Sequence, residues 1–180
     1  MSDFAEEIYK LQELSGADFI TQLKMVTARA EFHPLLDDSA IFTVGGERNG
    51  DYNNLLNAAR KAVTHGFRVF ILPNPKGGRT ADFILEQHGV FKLCDLKTIH
   101  GNASVGNRLR ESIGQCNRVL MNVRCRYDSR SMAFDIKHYF DQSPTAIEVM
   151  IFKGNKFFSV NRQLVQSPKY LKLFRKLYEK

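Results

Sequence analysis

No stretch of apolar residues in this chain approaches the length of a membrane span. Its first ten residues, MSDFAEEIYK, are acidic and carry no signal-peptide core. Cysteine is scarce: Cys94, Cys116 and Cys125 are odd in number and form no CxxC pair. They read as reduced thiols in a cytosol-compatible protein, which argues against a zinc site. The glycines do not form a GxxxxGK[ST] loop, so nucleotide binding of that kind is unsupported. Internal repeats and low-complexity linkers are lacking too. What is there is an ordinary globular composition. Of the 180 residues 43% are hydrophobic, enough for a core, and the length suits one domain or one domain with an N-terminal appendage.

Charge is unevenly spread. Residues 1–66 hold 6 Lys/Arg against 10 Asp/Glu, a net of −4, whereas residues 67–180 hold 20 against 9, a net of +11. A basic C-terminal two-thirds around an acidic site points to a polyanionic substrate, nucleic acid in the first place.

Periodicity predicts helices over 2–15 (Ser2 as a cap; Phe4, Ile8 and Leu11 on one stripe) and 17–30 (Phe19, Leu23, Val26), then a break at His33-Pro34. A short strand at 40–44 and Gly/Asn turns follow, up to Gly50. Residues 51–65 form the clearest helix, capped by Asp51 and buried through Leu55, Ala59 and Val63. FRVFIL, residues 67–72, is a strand, and the Pro/Gly-rich 73–78 is a loop. Later come a helix over 104–116 (Val105, Leu109 and Ile113 buried), a strand over 118–125 and a helix near 130–141. The last elements are two antiparallel strands at 145–152 and 156–160 and a final helix after Ser167-Pro168. That last helix has Tyr170, Leu173, Phe174 and Leu177 on its apolar side and Lys169, Lys172, Arg175, Lys176 and Lys180 opposite. The order fits a central mixed β-sheet flanked by helices, with residues 1–50 an N-terminal helical segment for docking or delivery and 51–180 an α/β domain.

The most informative stretch runs from Thr80 to Gln115. Two strand-like runs flank His88-Gly89, where glycine admits the positive φ of a two-residue hairpin turn. With that loop, opposed positions have numbers summing to 177, which sets Asp82 across from Asp95. Alternation then projects Asp82, Asp95 and Lys97 on one face. Two carboxylates are hard oxygen ligands suited to Mg²⁺ or Mn²⁺. A neighbouring lysine stabilises phosphorane charge or assists deprotonation of a metal-bound water. The helix that follows is polar and basic. Lys76, Arg79, Thr98, Asn102, Ser104, Arg108 and Arg110 are the candidate nucleic-acid contacts, and Tyr127 and Phe91 are candidate stacking aromatics.

From about Asn57 to Arg162 the chain resembles the C-terminal tRNase domain of contact-dependent growth-inhibition toxins of the CdiA type. The residues that carry this are TADFILEQHGVFKLCDLK, TIHGNASVGNRLRESIGQCNRVLM and IEVMIFKGNKFFSV. The first block is also similar to the PD-(D/E)xK nuclease core, where an acidic residue begins one strand and (D/E)xK lies on the strand paired to it. These resemblances imply a restriction-endonuclease-like core, with Asp82 and Asp95 holding the metal. They place Lys97 by the attacking water or scissile phosphate, and Gln115 at a polar helix position. Ala81 stands where the motif has proline. They further imply action in the bacterial cytoplasm after delivery as part of a larger secreted or mobile-element polypeptide, with an acidic immunity protein as partner. Toxins of this type span more than one fold. The alternative is a barnase/EndoU/colicin/RelE-like fold that uses no metal. His100 is then general acid or base for attack by the RNA 2′-OH, Lys97 stabilises the pentacoordinate phosphate, and Thr98 or Ser104 donates. A PD-(D/E)xK DNA endonuclease and a non-catalytic basic nucleic-acid-binding module remain as further readings.

Overall fold

Runs rich in Val, Ile, Leu and Phe form strands here, and three of the helices between and after them begin at side-chain caps, Ser104, Asp128 and Asn161. The computed structural model describes residues 3–45, 51–73, 80–101 and 104–180, without the side chain of Asp3. Lys76, Arg79, Asn102, the Ser2 cap and the turn at 46–50 lie outside the described residues. The chain divides into two units, Met1–Asp95 and Leu96–Lys180.

The first unit contains α1 (Asp3–Lys10), α2 (Gly16–Thr27), β1 (Phe32–Pro34), β2 (Ile41–Val44), α3 (Tyr52–Thr64), β3 (Arg68–Ile71), β4 (Phe83–Gln87) and the first part of β5 (Val90–Ile99). Its sheet is mixed. β1 and β2 are antiparallel, β2 and β3 parallel, and β3, β4 and β5 form an antiparallel meander. The parallel step is bridged by α3, which packs on β2 and β3. Its buried residues are Ala58, Ala59 and Ala62, whereas Leu55 and Val63 are half-buried. Small side chains let the helix lie close to the sheet.

His33-Pro34, expected to be a break, is the end of edge strand β1, where Pro34 pairs with Phe42. An edge tolerates proline because its missing N–H is not needed by a further strand. Phe32 anchors the strand between Phe4 and Phe70, at ring-centroid distances of 5.5 and 5.3 Å. Residues before 50 therefore supply strands as well as helices.

The second unit contains the rest of β5, α4 (Val105–Glu111), β6 (Arg118–Val123), α5 (Ser129–Gln142), β7 (Glu148–Lys153), β8 (Lys156–Asn161), α6 (Arg162–Gln166) and α7 (Tyr170–Glu179). β6 runs parallel to β7, with α5 between them in sequence, and β7 and β8 form an antiparallel hairpin. The core joins Val119, Met121, Ile136, Val149, Phe140 and Phe174. Asp128 caps α5 by accepting from Ser131 N–H (2.8 Å) and Oγ (2.9 Å). Arg162 closes its other end, donating to the carbonyls of Phe140, Ser143, Pro144 and Ala146. Helix α6 went unread in the sequence, although Asn161 is a good cap and accepts from Leu164 N–H at 2.9 Å.

The stripe that α7 buries is Tyr170, Phe174 and Tyr178, one residue every turn; Leu173 and Leu177 are 37% and 40% exposed. Two of its hydroxyls reach inward, Tyr170 to Ala133 O (2.8 Å) and Tyr178 to Tyr127 O (2.9 Å). Burial raises the phenol of Tyr170, and pushes that of Tyr178 up to about 12 from an ordinary 10.0. The fold therefore favours the neutral phenols. Their stabilisation is complete below pH 10 and is lost as pH rises from 10 toward 12. Alkaline titration followed at once by tyrosinate absorbance and circular dichroism should show late tyrosines ionising with the loss of structure. Ionisation of all tyrosines near pH 10 with the fold intact would contradict the packing.

Candidate nuclease site

The hairpin that carries the acidic pair is built by its turn. His88 (φ 51°) and Gly89 (φ 78°) both occupy the left-handed region, as a two-residue type I′ connection requires. Glu86 accepts from Gly89 N–H (2.8 Å) and is held by Arg68 (3.3 Å). The ladder runs from Gln87↔Val90 to Phe83↔Cys94, every pair summing to 177.

The ladder stops one step short of the two aspartates. Asp82 N–H donates to Cys94 O (3.1 Å), the residue already paired with Phe83, while Asp82 O accepts from Leu72 N–H on the other side (2.9 Å). Asp82 thus enters β4 from outside the strand and is shifted toward Cys94, not set squarely across from Asp95. Strict alternation does not extend to it. Its side chain is half-buried.

Asp95 is 3% exposed, the most buried acidic residue among those described. Burying a carboxylate is costly unless it is paired, so a buried aspartate in a strand is a functional candidate. Asp95 and Lys97 occupy alternate positions of β5 and share a face of that strand. Thr98 alternates to the opposite face, and His100 is exposed beyond the strand's end.

Lys97 has a side chain only 14% exposed, with Nζ 3.9 Å from Glu111 Oε2 on α4. Arg108 reaches the same carboxylate oxygen at 3.3 Å. Glu111 was missed in the sequence, where attention went to cationic and small polar residues. Its place three residues after Arg108 on a helix was the available signal. Ser104 caps α4 by accepting from Asn107 N–H (3.3 Å), and Arg110 donates to Asn107 Oδ1.

The helix expected to reach Cys116 stops at Glu111. Ser112, Ile113 and Gln115 turn tightly through i→i+3 bonds, and Gly114 (φ 84°) takes a conformation costly for other residues. Gln115 therefore lies past the helix, its Nε2 donating to Glu111 O (2.6 Å), and Ile113 is exposed rather than buried. Tyr127 is engaged: its hydroxyl donates to Asp135 (3.0 Å) and accepts from Val105 N–H (3.4 Å). Desolvation, foremost, raises its pKa. Phe91 is half-buried, with Lys24 Nζ 6.0 Å from its ring centroid.

Two carboxylates form a hard-oxygen donor set, and Mg²⁺ is commonly held by one or two carboxylates completed by water and substrate phosphate. Asp82 and Asp95 are two carboxylates of that kind. Among the described residues no cluster of three or more His, Cys, Asp or Glu suited to a metal occurs. A shallow apolar hollow of about 480 Å³, lined by Leu164, Leu173 and Leu177 and edged by Lys176 and Lys180, holds none of these candidate residues. No helix among the described residues is long and apolar enough to cross a membrane. No family model, no curated protein and no solved structure matches the chain.

Proposed function

We propose that the chain is a toxin-type ribonuclease that cleaves tRNA by metal-assisted phosphodiester hydrolysis on a restriction-endonuclease-like core. The observation that carries this reading is the placement of three residues. Asp82 stands at the entry to β4, and Asp95 and Lys97 sit two apart on the paired strand β5. The elements around them follow the order α3, β3, β4, β5, α4, β6, with β3 to β5 an antiparallel meander. An acidic residue at the start of one strand and DxK on the strand paired to it are what the resemblance to PD-(D/E)xK nucleases calls for. The net charge of +11 over residues 67–180 supports a polyanionic substrate.

Asp82 and Asp95 would hold Mg²⁺ or Mn²⁺. Such an ion supplies Lewis acidity and lowers the pKa of a bound water. The burial of Asp95 fixes one anchor of the site in a rigid strand. The Lys97 ammonium, half-buried and paired with Glu111, is placed to stabilise charge developing on the phosphoryl oxygens, where a fixed cation acts more strongly than in water. Glu111, 3.9 Å away, orients that ammonium. Arg108 and Arg110 on α4 meet the flanking phosphates and set register. The substrate is an exposed loop of tRNA, since RNA is read by sequence chiefly in unpaired segments. An acidic immunity protein is the companion that the toxin reading brings with it.

The test is incubation of the purified protein with total tRNA in Mg²⁺ and in EDTA. Cleavage that EDTA stops is the expected result. Cleavage that persists in EDTA transfers the chemistry to His100 and the RNA 2′-OH. No cleavage of tRNA, other RNA or DNA overturns the reading in favour of a basic binding module.

A further inference from the structure

The buried stripe of α5 is complete without Phe134. Met132, Ala133, Ile136, Tyr139 and Phe140 are buried in the core, while Phe134, in the middle of the helix, is 53% exposed. The fold has no use for a large ring at that position. The Arg130 guanidinium lies 5.8 Å from the ring centroid, one turn before it. Arg124 and Arg126, both exposed, sit on the short connection that feeds α5 and make no ion pair among the described residues. The nearby acids are committed: Asp128 to the helix cap, Asp135 to Tyr127, and Asp141 to Lys137 at 3.7 Å. His138, exposed, follows one turn later.

This face adjoins α4. Gly106 packs against Asp135, so closely that a Cβ there would lie 3.2 Å from Oδ1, and Tyr127 fastens Val105 to the same carboxylate. Asp135 is the residue next to Phe134. The helix bearing Arg108, Arg110 and Glu111 is thus latched to α5 through Asp135.

We propose that Phe134 is a stacking platform for an unpaired base of single-stranded RNA, with Arg130, Arg124 and Arg126 holding the phosphates on either side. The inference rests on the ribonuclease reading and deepens it. An exposed ring with a guanidinium beside it and further arginines nearby in sequence is a combination that suits single-strand binding, because every base offers a π-face and every link a phosphate. The sequence had offered Tyr127 and Phe91 as stacking aromatics. The hydroxyl of Tyr127 is instead tied into the α4–α5 latch, and Phe91 is half-buried.

The experiment measures binding of a fluorescein-labelled 12-nucleotide oligoadenosine RNA by anisotropy, in EDTA, across a salt series. Phe134→Ala and Phe134→Leu should weaken binding about tenfold without changing the salt slope, whereas Phe134→Trp should preserve it. Replacing Arg124 and Arg126 by Gln should flatten the slope by about one unit for each phosphate no longer neutralised. Because Phe134 lies outside the core, all variants should melt as the wild type does. Equal affinity of wild type and Phe134→Ala overturns the platform and leaves the cleavage reading standing. So does full retention by Phe134→Leu, which would mean apolar contact without stacking. Failure of the wild type to bind the oligonucleotide also overturns the platform. Loss of binding in Phe134→Ala from a protein that cleaves no RNA in Mg²⁺ upholds the platform and removes the ribonuclease.

Discussion

Asp95→Asn is expected to cut tRNA cleavage in Mg²⁺ by roughly 10²–10³-fold, the scale on which loss of a preorganised electrostatic group is felt. Asparagine nearly reproduces the shape of aspartate, so the buried position stays filled and the melting temperature should stay close to that of the wild type. What changes is the negative charge that would hold a cation. Raising Mg²⁺ should therefore restore part of the lost rate in Asp95→Asn. It should restore none in Lys97→Met, where the missing group is the cation proposed to face the phosphate. This contrast separates catalysis from scaffolding. An activity loss that tracks a fall in melting temperature and ignores Mg²⁺ would mark Asp95 as a structural carboxylate. Full activity in Asp95→Asn would remove the two-carboxylate site.

Phe174→Ala should be the most damaging change to the second unit, costing about 3–5 kcal/mol, as large-to-small core substitutions of phenylalanine do. Phe174 is fully buried. Its ring stacks on Tyr178 at 5.7 Å and meets Phe158 and Tyr170 edge-on at 5.8 and 5.9 Å. A cavity there loosens the whole stripe by which α7 is fastened. Leu173→Ala, one position earlier but 37% exposed, should change stability by no more than about 0.5 kcal/mol, as surface substitutions do. Urea unfolding of the two variants checks the pair. Similar costs at both positions would mean that α7 packs on a different face.

The same helix shows where the sequence stops speaking. Its amphipathic period was plain, but Leu173 and Leu177 lie a step around from the stripe that is used. The core accepts Tyr178 instead, because its hydroxyl finds Tyr127 O and Lys153 Nζ sits 3.5 Å from its ring centroid. Period alone locates a stripe only to within one residue when an amphipathic ring competes with leucine. The β4–β5 hairpin was legible for the opposite reason. Alternation and a glycine at the turn fix register jointly, and the rule of 177 holds from Gln87 to Phe83. It fails at Asp82 because Asp82 bonds to Leu72 on one side and slips to Cys94 on the other, a choice made by tertiary pairing. Likewise β1 was hidden by a proline that an edge permits, and α4 was overextended across Gly114. Lys97 stood out in the sequence, but its partner Glu111 emerged only when helix and strand were brought together.

Strand β5 is ten residues without interruption, and the boundary between the two units falls inside it, between Asp95 and Leu96. Most two-unit chains can be dissected at a linker and each piece assayed on its own. Here a cut at the natural boundary hands the aspartate to one fragment and the lysine two residues later to the other. Neither fragment would inherit all the residues of the proposed chemistry.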